Sequence, residues 1–217
     1  MIRNLLNWFG PSAVDTLKSD PAVKGHMTVQ LFNKNGKLNY QTDGYNIWTL
    51  TGREYLSELI GLQTYSTVSQ NRVLHRNDRI AYIGMGTGSQ PEVASVSGLV
   101  YPVGYDSGVQ SGNFLAVLDP ADFPATGSST RTSVRFSRTF TSGEYSIQTL
   151  TNPSGAITLT EAGLFTDGDP TNNFEVGTIS TSLADSAGFA PVAYKTFEPI
   201  TKTPDFTMRV IWEVRFV

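Results

Sequence analysis

The sequence predicts a mainly β protein: an antiparallel β-sandwich-like domain with one embedded α-helix and a short N-terminal helical arm. Residues 27–40 have the pattern of a hairpin around Asn35 and Gly36, a strong short-range signal for antiparallel pairing. Much of the second half of the chain consists of short apolar runs separated by Gly, Ser, Pro and Asn, as is typical of sandwiches and barrels. Residues 205–217 alternate between two faces with the period of a strand.

Composition bounds the possible functions. The chain has 217 residues, 39% of them apolar, which is enough to fill one generous core. A net charge of -3 gives no broad basic field, so nucleic acid is not expected as the main partner. Cysteine is absent, which excludes disulfides, thiolate nucleophiles and cysteine zinc sites. No segment approaches the roughly 20 apolar residues of a membrane span, so we expect no transmembrane helix.

The first 24 residues are predicted to form a docking arm, and residues 25–217 the structural domain. Gly10 and Pro11 end any helix after about two turns, because proline disfavours helical geometry in the residue before it. The short helix can pack on its own domain or dock onto a neighbouring subunit. The candidate interaction residues are its large apolar side chains, Leu5, Leu6, Trp8 and Phe9.

One helix is predicted at about residues 50–62. Thr51 is the expected cap, and Glu54 follows three residues later as in a capping box. The apolar residues recur at helical spacing and should share one face: Tyr55, Leu56, Leu59 and Ile60. Residues 63–79 are polar without a steady period and are predicted to form a loop.

The remaining segments are predicted to be mostly strands. The candidates are 79–84, 131–141, 144–150, 155–160, 162–166, 174–181, 192–198 and 205–217. Residues 93–130 are hard to interpret, because prolines interrupt every apolar run. In the last strand we expect alternate residues to face the core: Phe206, Met208, Val210, Trp212, Val214 and Phe216. Ile211 and Val217 on the opposite face suggest that part of that face is covered.

The segment YIGMGTGSQPE at residues 82–92 contains a glycine cluster that could suggest a phosphate site. A P-loop requires a lysine after its glycines, and no lysine lies between Lys37 and Lys195. A dinucleotide fingerprint requires a third glycine and a following helix, and neither is present. Gly84, Gly86 and Gly88 are therefore predicted to have a backbone role, through positive φ angles or a close approach as a buried strand leaves the sheet.

No other motif selects catalytic, cofactor-binding or metal-binding residues. His26 and His75 are not at metal-ligand spacing. The acidic segment 166–175 lacks the calcium-loop pattern, although whether it holds a cation stays open. In the compact apolar segment TEAGLF, which contains Gly163, Glu161 needs a partner, and we expect a structural hydrogen bond rather than catalysis. The sequence therefore predicts a protein that is not an enzyme and needs no cofactor.

Four segments together resemble virion structural proteins of tailed bacteriophages. They are DGYNIWTLTGREYLSELI at 43–60, IAYIGMGTGSQPE at 80–92, LTEAGLF at 159–165 and FEPITKTPDFTMRVIWEVRF at 197–216. Each is short, and it is their shared order that is specific. The resemblance covers roughly residues 27–217, apart from much of 93–130. It includes a strand ending in a glycine turn, a TEAGLF hairpin and a closing strand after a TKT turn.

The resemblance implies a β-rich, multimeric, non-enzymatic protein located in the virion and made in the host cytoplasm. Its implied partners are other virion proteins and copies of itself. Head decoration or cementing, and a neck, collar or tail attachment role, are both open. The alternative from another class is a carbohydrate-binding or host-recognition β-sandwich module. Aromatic residues in predicted loops would then contact a glycan: Trp48, Tyr65, Tyr101 and Tyr105.

Overall fold

The computed structural model describes residues 23–61, 79–106, 112–124, 133–146, 152–167, 182 and 190–216. The β1 strand begins at Val23, two residues before the predicted start of the domain. The predicted arm residues Leu5, Leu6, Trp8 and Phe9 lie outside these ranges. The described elements are β1 (Val23–Asn33), β2 (Leu38–Tyr45), β3 (Ile47–Trp48), α1 (Leu50–Gly61), β4 (Ile80–Gly86), β5 (Leu115–Val117), β6 (Ser133–Phe140), β7 (Ile157–Thr166), β8 (Ala193–Lys202) and β9 (Phe206–Phe216).

The strands form two antiparallel sheets that pack face to face. The first sheet has the order β2-β1-β9-β6, and the second has the order β3-β8-β7-β4-β5. One apolar core lies between them, because alternate residues of each strand point inward. Met27, Val29 and Val210 come from the first sheet, and Met85 and Leu159 come from the second. The predicted β-sandwich-like fold is therefore confirmed.

The β1–β2 hairpin forms where the sequence predicted it. The Asn33 side chain accepts hydrogen bonds from the backbone N–H groups of Asn35 and Lys37, at 3.0 and 3.1 Å. Gly36 has a φ of 72°, a left-handed conformation that glycine adopts without a steric penalty. The hydrogen bonds of the Asn33 side chain and the conformation of Gly36 therefore determine this turn.

The β9 strand lies in the middle of the first sheet and shows the predicted alternation. Met208, Val210, Trp212 and Val214 are buried, and Phe206 is partly buried. Phe216 is 46% exposed, so its predicted place in the core is wrong. It pairs with Val23, the first residue of β1, and therefore lies at the end of the sheet.

The structure corrects two further strand predictions. Residues 155–160 and 162–166 were predicted as separate strands, but β7 is continuous, with a register irregularity between Leu159 and Glu161. The TEAGLF segment is therefore part of a strand and not a hairpin. A strand was also predicted at 144–150, but residues 142–145 form a turn, in which the Glu144 side chain accepts the Thr141 N–H at 2.6 Å; residues 147–150 lie outside the described residues. Predicted strand 174–181 lies outside the described residues, and β5 was not predicted.

The helix α1 matches the predicted position but not the predicted cap. The Thr49 hydroxyl accepts the Gly52 N–H at 3.0 Å, so the cap is Thr49 rather than Thr51. Tyr55 and Leu56 pack against the core as expected, whereas the side chains of Glu54, Leu59 and Ile60 are outside the description. No helix in the described part of the chain combines the length and apolar character needed to cross a membrane.

The chain passes from one sheet to the other at Asn46. Tyr45 ends β2 in the first sheet, and Ile47 begins β3 in the second. The Asn46 side-chain oxygen accepts the indole N–H of Trp212 at 2.9 Å. A buried tryptophan N–H usually needs such a partner, so this bond ties the crossover to the central strand.

Candidate functional site

The glycine segment and the TEAGLF segment lie side by side in the second sheet. Strands β4 and β7 are antiparallel neighbours, with Gly84 opposite Gly163 and Gly86 opposite Glu161. The chain leaves β4 after Gly86 and returns to the same strand at residues 101–103, where Thr87 bonds to the Tyr101 carbonyl and Val103 bonds to the Met85 carbonyl. Two segments far apart in sequence therefore build one local structure.

The Glu161 carboxylate is the centre of this structure. Its side chain is fully buried, and Oε1 accepts the backbone N–H groups of Gly88 at 3.2 Å and Tyr101 at 2.9 Å. Oε2 accepts the N–H of Val100 at 3.1 Å and the hydroxyl of Tyr194 at 2.9 Å. A carboxylate has about four lone-pair sites, and these donors fill them. Glu161 therefore holds both ends of the loop 87–101, and the hydrogen bond predicted for this side chain is present.

Gly86 and Gly88 are needed because the loop passes very close to Glu161. A Cβ at Gly86 would lie 2.4 Å from Glu161 Oε1 and 2.6 Å from the Tyr101 carbonyl oxygen. A Cβ at Gly88 would lie 2.4 Å from Val100 Cβ. Neither has a positive φ, so the predicted close approach is the correct one of the two backbone roles. The glycines give the backbone access to the carboxylate.

Gly84 and Gly163 make room for aromatic rings on the same pair of strands. A Cβ at Gly84 would lie 3.1 Å from the Phe165 ring, and one at Gly163 would lie 3.0 Å from it. Phe165 packs edge-on against Phe114, with ring centroids 5.9 Å apart. These glycines lie within strands rather than in a turn, so their role is packing.

Tyr194 completes the Glu161 site from β8. Burial raises the pKa of the Tyr194 phenol above its ordinary value, and the negative charge of Glu161 raises it further. The phenol therefore stays protonated and donates its hydrogen bond across the physiological pH range. A protonated donor beside a saturated carboxylate stabilises the loop and leaves no free base.

A second carboxylate holds the same loop to β8. Glu92 Oε1 contacts Lys195 Nζ at 2.8 Å and accepts the backbone N–H and the hydroxyl of Thr196, at 3.2 and 2.7 Å. The side chains of Glu92 and Lys195 are only 16% and 17% exposed. The loop is therefore tied to the sheet at three places by residues 88, 92 and 100–101.

Lys202 is a buried cation at the end of β8. Its ammonium donates to the carbonyl oxygens of Ser142 and Thr203, at 3.2 and 3.1 Å, and contacts Ser146 Oγ at 3.4 Å. Burial lowers the pKa of Lys202 to about 8, and the negative charge of Glu144 opposes this shift. Both carbonyls belong to turns, so the lysine fastens the 142–146 turn to the β8–β9 connection.

The loop carries apolar side chains on its outer surface. Val93 is 47% exposed, Val100 is 36% exposed and Tyr101 is 67% exposed. Leu50 is 58% exposed, and its backbone N–H donates to the Ala94 carbonyl at 2.7 Å. We call these four residues the loop patch. Glu161 holds the backbone of Val100 and Tyr101, and the bond from Leu50 to Ala94 joins the loop to the start of α1, so the backbone beneath the patch is held by hydrogen bonds.

The residues proposed for glycan binding do not form an aromatic platform in the described structure. Trp48 lies in β3 and is buried, whereas the sequence suggested a loop. Tyr105 is half-buried and packs on Phe140 and Tyr145. Tyr101 alone of the described candidates is strongly exposed, and Tyr65 lies outside the described residues.

The remaining candidates stand apart from the Glu161 site. His26 lies 3.5 Å from Asp43 on the first sheet, and His75 is not described. Of the acidic segment 166–175, Thr166 and Asp167 are described; Asp167 accepts the backbone N–H of Arg79 at 2.9 Å. Within the described ranges, no group of His, Asp and Glu side chains could hold a metal ion.

Comparisons of the chain with protein-family models, with curated proteins and with solved structures returned no match. Function therefore has to be inferred from the residues themselves. Sequence reasoning found Glu161 and its glycines but missed Glu92, Lys195 and Lys202. The signal for Lys202 is its spacing: it lies two residues after Ile200 in β8, and strand alternation places both side chains on the same buried face.

Proposed function

We propose that this chain is a non-enzymatic structural component of a tailed-phage virion, which joins the particle through its β-rich surfaces and its N-terminal arm. It acts either as a head-decoration or cement protein, or as a neck, collar or tail attachment protein. Its partners are other virion proteins and copies of itself.

The observation that carries this proposal is the use made of the motif residues. The donors around Glu161 fill its oxygens, and Glu92 is occupied by Lys195 and Thr196. These buried groups therefore support a loop and are not arranged around a space for a substrate. Rigid support under exposed apolar side chains favours a contact surface, because preorganised aromatic and aliphatic anchors supply much of the energy of association.

The order of the motifs supports the same proposal. Two of the segments that resemble phage virion proteins meet in space, since the glycine segment and TEAGLF lie on paired strands around Glu161. Many copies on a particle multiply a weak contact through avidity, so the small loop patch can serve as one contact among several.

The test is binding of the purified chain to particles assembled without it. Quantitative mass spectrometry counts the copies bound per particle: hundreds indicate decoration, and about a dozen or fewer indicate a closed ring at the neck or tail. We expect Tyr101→Ser to reduce the occupancy, whereas Val117→Ser, which removes a 57% exposed side chain on β5, leaves it unchanged. No binding by the folded wild-type chain contradicts the proposal.

Deletion of residues 1–10 tests the arm separately. We expect the shortened chain to fold with wild-type stability and to bind particles more weakly. If it binds as well as the full chain, the arm has no docking role. A glycan array tests the alternative function, since selective binding weakened by Tyr101→Ala would favour host recognition.

A further inference from the structure

The β2 strand is the one long strand edge left uncovered in the described part of the chain. The opposite edge of the first sheet, β6, is covered by residues 119–122, which exchange backbone hydrogen bonds with Arg135 and Ser137. The edge strands of the second sheet, β3 and β5, have only two and three residues. By contrast, β2 has eight residues and pairs only with β1.

From Tyr40 to Tyr45 this edge has few of the features that usually prevent edge-to-edge association: Asp43 is its one charged residue, and the register irregularity of β2 lies before Tyr40. Proteins block such edges with proline, lysine, short strands or a covering segment. The sequence of β2, LNYQTDGY, contains no proline, lysine or arginine. It exposes large apolar side chains instead, since Leu38 is 44%, Tyr40 is 39% and Tyr45 is 68% exposed. The edge is therefore suited to pairing.

The backbone groups that face outward can be assigned from the hairpin. The N–H of Asn46 donates to the carbonyl of Gly25 in β1. Because hydrogen-bonded and non-bonded positions alternate in an antiparallel ladder, Gly44 and Thr42 also bond to β1. Tyr45, Asp43 and Gln41 therefore point their N–H and C=O groups away from the sheet, and their side chains are exposed.

We propose that the β2 edge binds the β2 edge of a second copy of this chain, in an antiparallel arrangement with a two-fold axis at Thr42. This register places Gln41 opposite Asp43 of the second copy, and Tyr40 opposite Gly44, within the part of β2 that pairs regularly with β1. The two threonines face each other at the axis, where such pairs are favourable. The first sheets of the two copies then form one continuous sheet.

Charge selects this register over its neighbour. A two-fold axis at Asp43 would place two carboxylates directly opposite each other, which is destabilising. An axis at Gln41 would move Tyr45 opposite Lys37, beyond the end of the strand, and would lose a ladder pair. The Thr42 register pairs an amide with a carboxylate on each side of the axis and is centred on the regular part of the strand, Tyr40 to Tyr45.

The first test is a cross-link. The chain has no cysteine, so Thr42→Cys introduces a single thiol. Opposite residues at a non-hydrogen-bonded position have Cβ atoms about 4.5–5.5 Å apart, close to disulfide geometry. In the control, Gln41→Cys, the two thiols are diagonal, and their Cα atoms are beyond the roughly 7 Å limit. Under mild oxidation, we expect the Thr42→Cys variant to form a covalent dimer at least about tenfold faster than the Gln41→Cys variant. Equal rates overturn the proposed register.

The second test is sedimentation of the full chain over a range of concentrations. We expect the wild-type mass to rise toward that of a dimer, and Thr42→Lys to weaken the dimer at least about tenfold, because it places two like charges opposite each other. Gln41→Lys faces Asp43 and should keep or strengthen it. A wild-type monomer at every concentration, or a dimer unaffected by Thr42→Lys, overturns the proposal. Pairing with a strand of another protein would give the first of these outcomes.

This inference goes beyond the proposed function and fails separately from it. The solution experiments need only the purified chain, whereas the occupancy experiment needs particles. A dimer that does not bind particles contradicts the virion proposal alone. A monomer that binds particles contradicts the β2 pairing alone.

Discussion

Replacing Glu161 with alanine should be among the most destabilising single changes in the Glu161 site. The substitution leaves the N–H groups of Gly88, Val100 and Tyr101 and the hydroxyl of Tyr194 without their acceptor. Each buried donor left unpaired costs about 1–3 kcal/mol. Water entering the vacated space offsets part of this. At the low end of this range, the four donors together give a loss of about 4 kcal/mol before that offset.

A loss of this size is a large part of the roughly 5–15 kcal/mol that stabilises a typical domain. For a chain of this length it corresponds to a fall in Tm of roughly 8–16 °C. Urea unfolding followed by tryptophan fluorescence measures the free energy directly. The matched control is Glu198→Ala, which removes an exposed glutamate from β8 and should change stability by less than about 0.5 kcal/mol.

Glu161→Gln separates hydrogen bonding from side-chain volume. The amide keeps one acceptor oxygen, but its NH₂ group replaces the other oxygen and cannot accept a hydrogen bond. One pair of donors therefore loses its acceptor, either Val100 N–H and the Tyr194 hydroxyl or the N–H groups of Gly88 and Tyr101. We expect about half of the alanine effect. If Glu161→Ala lowers the free energy of unfolding by less than about 1 kcal/mol, the carboxylate does not hold the loop as described.

The remaining predictions concern the glycines, the buried lysine and the sheet crossover. Gly86→Ala should destabilise the protein by several kcal/mol, because the new Cβ would meet the Glu161 side chain and the Tyr101 carbonyl. The control is Gly143→Ala, whose Cβ would have no atom within 4 Å and which should be neutral. Thermal unfolding compares the two variants, and equal effects would contradict the close approach at Gly86. Burial lowers the pKa of Lys202 from 10.5 to about 8, so between these pH values the unfolded chain binds more protons than the folded chain. The free energy of unfolding of the wild type should therefore rise with pH over this range, by up to about 3 kcal/mol relative to Lys202→Met. A flat difference between wild type and variant from pH 7 to 10.5 would show that the lysine is not desolvated. Asn46→Ala should lower the free energy of unfolding by about 1–3 kcal/mol, since the Trp212 N–H loses its acceptor. A urea titration followed by fluorescence measures this change. A neutral effect would mean that water replaces the lost hydrogen bond.

The parts of the fold that the sequence predicted are those set by local patterns. The Asn35–Gly36 turn and the alternation of β9 depend on neighbouring residues, and both were predicted. The β7 strand was predicted as two strands, 155–160 and 162–166, but Glu161 between them lies within one strand, paired with Gly86 on one side and Thr196 on the other. Long-range packing decided that position, and a single sequence does not show it.

The candidate site was predictable only in part, for the same reason. An acid in an apolar segment needs a partner, which pointed to Glu161, but nothing indicated that the partners would be backbone groups 60 and 73 residues away. Glu92 and Lys195 are 103 residues apart and carry no local signal at all. The misplaced helix cap has a similar origin, because Thr49 also donates to the carbonyl of Pro191, which precedes the neighbouring strand β8 and lies 142 residues away.

The pairing of β1 with β9 has a consequence for how the chain is made. Val23 at the start of β1 lies opposite Phe216, and the two strands are paired along their whole length. Residues 206–216 must therefore leave the ribosome before β9 can pair with β1. Until then the early hairpin leaves Met27, Val29 and Leu31 without their cover, and loop closure over such a separation is slow. Newly synthesised chains should depend on chaperones during this interval, and a synthesis stalled before β9 should yield protein prone to aggregation.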